Sequence, residues 1–146
     1  MYHRILIPLD VSSKDTVILN HIRSLAKMTG AELVLIRVAE GFVARLQNQL
    51  NLEDSEEINK AKLYLDKKQA ELSADGFKVT SFLIQGKEPA EAIAYLAEQE
   101  HCDLIAMATH GHRFWGDMIL GSVAESLRHR TDIPILMIMA REVKKS

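Results

Sequence analysis

The sequence predicts one α/β domain spanning residues 1–146, a five-stranded parallel sheet with helices on both faces. Three observations carry this. The β-forming runs are mostly continuous in apolar residues rather than alternating, as strands buried on both faces must be. Segments of helical composition separate them, so consecutive strands are joined by crossovers, which are right-handed almost without exception. Helix start and stop signals stand at the joints.

In order along the chain, RILIPL (Arg4–Leu9) is the first run, stopped by Pro8 and Asp10. Ser12 and Ser13 then offer N-cap oxygens, and Ile18, Ile22, Leu25 and Ala26 share one helix face. Gly30 follows where a C-cap belongs. AELVLIRV (Ala31–Val38) is the second strand. Between Glu40 and Gly76 there is no proline, and the acidic middle favours helix by propensity. Ile58, Leu63, Leu65 and Leu72 do not fall on one stripe, so the helix is expected from near Ser55, behind a loop over residues 43–54. FKVTSFLIQG (Phe77–Gly86) alternates only in part, as suits an edge strand. Pro89 opens a third helix with Ala90, Ile93, Ala94 and Ala97 on one face. DLIAMA (Asp103–Ala108) is the fourth strand, then come a loop, a helix over Ser122–His129 and a last strand, Ile133–Met139. The result is a doubly wound, Rossmann- or flavodoxin-like three-layer sandwich.

Composition narrows the function. With 47% apolar and 26% charged residues the chain is an ordinary globular one, and a net charge of -2 leaves no basic face for nucleic acid. Arg141, Lys144 and Lys145 read as a solvated tail. The N-terminal apolar run, broken by Pro8, is too short for a signal segment or a membrane span. Cys102 is the sole cysteine, so no intramolecular disulfide forms, and it reads as a small buried hydrophobe. A cytoplasmic protein is expected, with neither membrane nor nucleic acid as partner.

Open parallel sheets bind ligands beyond the carboxyl ends of their strands, where the strand order reverses. If strand 1 is central, that point lies between Pro8–Asp10 and Ala108–Gly111. Gly111 is followed by nine residues and then by Gly121-Ser122. Glycines let backbone N–H groups converge on phosphate oxygens. Ser122 with Glu125 matches the S-x-x-E capping box, so the last helix would turn free N–H groups and a positive dipole end toward the crevice. A plain glycine loop before a well-capped helix has the same pattern. Neither G-x-x-x-x-G-K-[ST] nor G-x-G-x-x-G after strand 1 occurs, which excludes a P-loop and a dinucleotide fingerprint.

The segment MATHGHRFWGDMILGSVAESLRHRTDIPILMI resembles the ATP-binding branch of the universal stress protein family, whose signature is G-x2-G-x9-G-[ST]. ILIPLD, the strand ending in Val38 and the QGKEPAEAI turn match family blocks too, so the resemblance covers essentially the whole chain. It implies an adenine nucleotide alpha hydrolase-like fold with strand order 3-2-1-4-5 that binds ATP, AMP or ADP, with Mg2+ or Mn2+ carried by the phosphates. By position, Asp10 and Val38 would hold adenine, with Pro8 shaping the wall. Met107, Ala108, His110 and Gly111 would pack on the ribose and the α- and β-phosphates. Gly121 and Ser122 would carry the phosphates, helped by the backbones of Val123 and Ala124. Ala108 stands where the signature has its first glycine. Its methyl is costly if the backbone there needs positive φ or meets the ribose closely, and harmless if φ is extended. The resemblance also implies a homodimer through the last strand, Ile133–Met139, because an apolar sheet edge must be covered.

The expected function is a nucleotide-dependent stress-response module with at most slow ATP hydrolysis. The loop offers His110, His112 and Arg113 but no catalytic carboxylate pair and no lysine clamp. The alternative is a nucleotide-free dimeric interaction protein whose site has decayed at Ala108. Asp10 also has a plainer reading, as an acidic residue preceding a helix. His110 and His112 lack further ligands for zinc, and Phe114 and Trp115 read as packing under the loop, with a lid or partner patch as the other option.

Overall fold

The computed structural model describes residues 1–40, 52–110 and 121–140. Among these the elements run β1 (Arg4–Pro8), α1 (Lys14–Thr29), β2 (Glu32–Glu40), α2 (Leu52–Ala74), β3 (Val79–Gly86), α3 (Pro89–Gln99), β4 (Leu104–His110), α4 (Gly121–Arg128) and β5 (Ile135–Ala140). They form one five-stranded sheet in the order β3-β2-β1-β4-β5, every pairing parallel, as the alternation of strand and helix predicts.

The continuous apolar runs are explained by two cores. Ile5, Ile7, Leu33, Leu35, Leu104 and Ala106 face α1 and α2. Leu6, Val34, Ile36, Val38, Ile105 and Met107 face α3 and α4. Fully burying a side chain of this size stabilises by roughly 1.5–3 kcal/mol, so a strand with both faces apolar gains on each. α1 buries Ile18, Leu19, Ile22 and Ala26 and ends at Gly30, whose φ of 73° lets its N–H reach the Ala26 carbonyl at 2.8 Å. Pro89 opens α3 in its first turn, where no intrahelical donor is lost.

α2 begins at Leu52, three residues before the expected start near Ser55. Its missing stripe has a physical cause. Ala61, Leu65 and Leu72 are buried, but Leu63 faces water. Gln69 covers the sheet by hydrogen bonds instead, to the Val79 carbonyl and the Ser81 hydroxyl. β2 and β4 each run two residues past their predicted ends, because Glu40 pairs with Gly86 and His110 with Ala140. The edge strands thus supply hydrogen bonds where side-chain hydropathy has faded.

The amino end of the sheet is tied by polar contacts. Arg4 binds both Glu32 and Glu100, and Asp103 accepts the backbone N–H groups of His3 and Arg4. Cys102 is buried beside Arg4; burial pushes its thiol up to about 11 against the pull of that guanidinium. It is therefore a protonated packing group at neutral pH.

Candidate functional site

β1 and β4 lie side by side, with Ile5 opposite Leu104 and Leu6 opposite Ile105. Beyond Pro8 the chain enters α1 on one face, and the helix that follows β4, α4, packs on the other. The two chain paths part at the carboxyl edge, which is the switch-point crevice expected from the element order.

Val38, Met107 and Ala124 are buried together on the α3/α4 side, with half-buried Val123 against them. Pro8 pairs with Ile36 at the end of β1. Asp10 stands exposed just above, with Arg37 Nη1 3.9 Å from its Oδ1 and the Ser12 hydroxyl 3.4 Å from its Oδ2. His110 closes β4. Gly121 opens α4 and Ser122 is exposed in its first turn, so the helix starts one residue earlier than expected. Glu125 does not close a capping box among the described residues; it pairs with Arg128 at 3.2 Å and His129 at 3.5 Å. Gly111, His112, Arg113, Phe114 and Trp115 lie outside the described residues.

Ala108 is the residue on which the signature departs. It sits within β4 opposite Ile138 and is not among the positive-φ residues. Its methyl packs against the α1/α2 core, on the face opposite Met107. Alanine is therefore compatible with its own backbone.

The turn between β1 and α1 has an organiser of its own. Asp15, in the first turn of α1, is 2% exposed. Its Oδ1 accepts the Asp10 N–H at 2.8 Å, and its Oδ2 accepts the N–H groups of Val11 at 2.8 Å and Ser12 at 3.3 Å. The Tyr64 hydroxyl of α2 donates to the same Oδ2 at 2.7 Å. Burial, then the hydrogen bond to Asp15 and its charge, raises the Tyr64 hydroxyl well above the usual phenol range, so it is a donor at neutral pH. Val11 lies at φ 58°, a left-handed backbone in a β-branched residue.

The Universal stress protein family matches residues 1–139 of the 146. The chain belongs to that family. Universal stress protein MJ0577 of Methanocaldococcus jannaschii is 29% identical over 94% of this chain and 95% of its own. The solved structure of MJ0577 superposes with a TM-score of 0.84 at 28% identity, covering 98% of this chain and 99% of that one. Universal stress protein MJ0531 of the same organism is 31% identical over 94% of this chain and 82% of its own. A universal stress protein from Archaeoglobus fulgidus, solved in complex with dAMP, shares the fold at 21% identity, with a TM-score of 0.69 over 94% of this chain and 98% of that one.

Within this universal stress protein the residue reading overlooked Asp15, Tyr64 and Arg37. For Asp15 a signal was present: Ser12-Ser13-Lys14-Asp15 is an S-x-x-D pattern, whose acidic member reaches back to the amides before the helix. Ser13, read as a cap, makes no side-chain cap bond. Arg37 and Tyr64 carry no local signal, since only the sheet register and the docking of α2 bring them near the turn. A separate cavity of about 320 Å3 opens over Gly86, Glu88, Glu91 and Tyr95, at the β3 edge and away from the switch point. Among the described residues no three His, Cys, Asp or Glu side chains converge as a metal site, and no helix is long and apolar enough to cross a membrane.

Proposed function

We propose that this universal stress protein binds an adenine nucleotide, ATP or its AMP and ADP relatives, at the β1/β4 switch point. The observation that carries the reading is the meeting of β1, β2, β4 and the N-terminus of α4 around Val38, Met107, Val123 and Ala124. Asp10 and Val38 would receive adenine beside Pro8, and Met107, Ala108, His110 and Gly111 would flank the ribose and first phosphates. Gly121 and Ser122, at the positive end of α4, would bind the phosphates, with Mg2+ or Mn2+ held by phosphate oxygens. The dAMP complex of the Archaeoglobus fulgidus protein supports this ligand class, and the extended backbone of Ala108 removes one objection to it.

The protein would act as a nucleotide-dependent regulatory module of the stress response, homodimeric through β5 and located in the cytoplasm, where a lone thiol stays reduced. Hydrolysis would be slow at most, since the signature segment Ala108–Ser122 holds no lysine clamp and no pair of carboxylates.

Calorimetric titration with ATP and magnesium tests the reading. Binding by the wild type is expected, and Gly121→Val should weaken it by about tenfold or more, ~1.4 kcal/mol, by placing a branched side chain over the helix N–H groups. Failure of the wild type to bind up to millimolar ATP overturns the reading and favours the nucleotide-free alternative. Equal binding by Gly121→Val overturns the assignment of the phosphates to α4.

A further inference from the structure

We propose that Asp15, assisted by Tyr64, is a positioning residue that fixes Asp10 for the nucleotide; the proposal rests on the reading of Asp10 as a ligand contact. Just after β1 the chain turns through Val11 in the left-handed region, at φ 58°. A β-branched residue avoids that region, and such a conformation persists only where the surroundings over-determine it. Here the surroundings are a single buried carboxylate. Asp15 gathers the three consecutive N–H groups of Asp10, Val11 and Ser12 on its two oxygens, and the Tyr64 hydroxyl completes Oδ2. The turn is thus gripped from α1, which carries Asp15, and from α2, which carries Tyr64.

The consequence falls on Asp10. Its own N–H is the donor to Asp15 Oδ1, so the backbone that bears its side chain is locked while the side chain itself projects, exposed, beside Arg37. Contacts that hold a binding group in one geometry reduce the ordering cost when ligand arrives. Asparagine at 15 keeps the shape but turns an amide NH2 toward N–H or O–H donors on one side, so at least one grip on the turn is lost.

The test is a double-mutant cycle read by ATP–magnesium calorimetry on the full chain, using Asp15→Asn and Asp10→Ala singly and together. Asp15→Asn is expected to weaken binding about tenfold, and Asp10→Ala by a comparable factor. In the Asp10→Ala background, Asp15→Asn should weaken binding no further, because it acts through Asp10. Tyr64→Phe, which removes a single hydroxyl, gives the same pattern with a smaller loss and serves if Asp15→Asn fails to fold. Hydrogen exchange should quicken at the Asp10 and Val11 amides in Asp15→Asn while the α1 core stays protected.

The outcomes separate. If Asp10→Ala binds like the wild type, the reading of Asp10 falls, and this proposal with it. If Asp10→Ala weakens binding but Asp15→Asn and Tyr64→Phe do not, or weaken it equally in both backgrounds, the positioning role alone is overturned.

Discussion

Two aspartates at opposite ends of the sheet illustrate how surroundings assign roles to one residue type. Asp10 is exposed at the carboxyl edge, whereas Asp103 joins the β4 start to the N-terminal segment through the His3 and Arg4 amides. Partial burial works against the Asp103 charge, but the hydrogen bonds from the His3 and Arg4 N–H groups outweigh it and hold this carboxyl below the usual range. A carboxyl depressed in the folded state adds stability above its unfolded pKa, about 4, and that stability drains away as pH falls through the lower folded value. Asp103→Asn should therefore lower the melting temperature at pH 7, and the gap to the wild type should narrow in acid; a gap that is constant across pH overturns the assignment. The sequence displays neither hydrogen bond, since His3 and Asp103 are 100 positions apart. Ala108 teaches the same lesson from the signature side: its φ is set by pairing with β5, not by its neighbours in the chain.

At the level of elements, every strand and helix was legible, and the differences lie at the ends. Hydropathy locates the centre of a buried strand, but the ladder decides where it stops, so β2 and β4 outlast their apolar runs. α2 was legible by propensity and illegible by stripe, because polar Tyr64 and Gln69 make the contacts that apolar residues would make elsewhere. Caps differ in the same way. Gly30 was legible as a C-cap because only the left-handed conformation was needed, and a Cβ there would meet nothing within 4 Å. Gly30→Ala therefore isolates backbone strain from any clash. It should cost about 1–2 kcal/mol in urea denaturation. An unchanged midpoint would show that the α1 terminus relaxes to a different cap.

For the whole molecule, the switch point followed from the strand order alone, while the shape of the crevice did not, since it depends on how loops leave the sheet. β5 is one of the two edge strands of the sheet, and the proposed homodimer would form through it. Ile105 N–H donates to the Pro134 carbonyl at 3.0 Å, with Ile105 opposite Ile135. In a parallel ladder this directs the backbone groups of Leu136 and Ile138 toward β4, and those of Ile135, Met137 and Met139 outward. Among the described residues that outer row has no partner, and Met139 is 42% exposed beside it. Such an apolar edge invites pairing with another strand, and its twin in a second copy closes both edges at once. Met139→Pro removes one outward N–H and leaves the ladder to β4 intact, since the lost donor faces away from it. Light scattering at micromolar concentration should give a dimer for the wild type and a monomer for Met139→Pro, with the far-UV spectrum of the folded chain retained. A monomeric wild type removes β5 as the interface, and a Met139→Pro variant that stays dimeric moves the interface to another face.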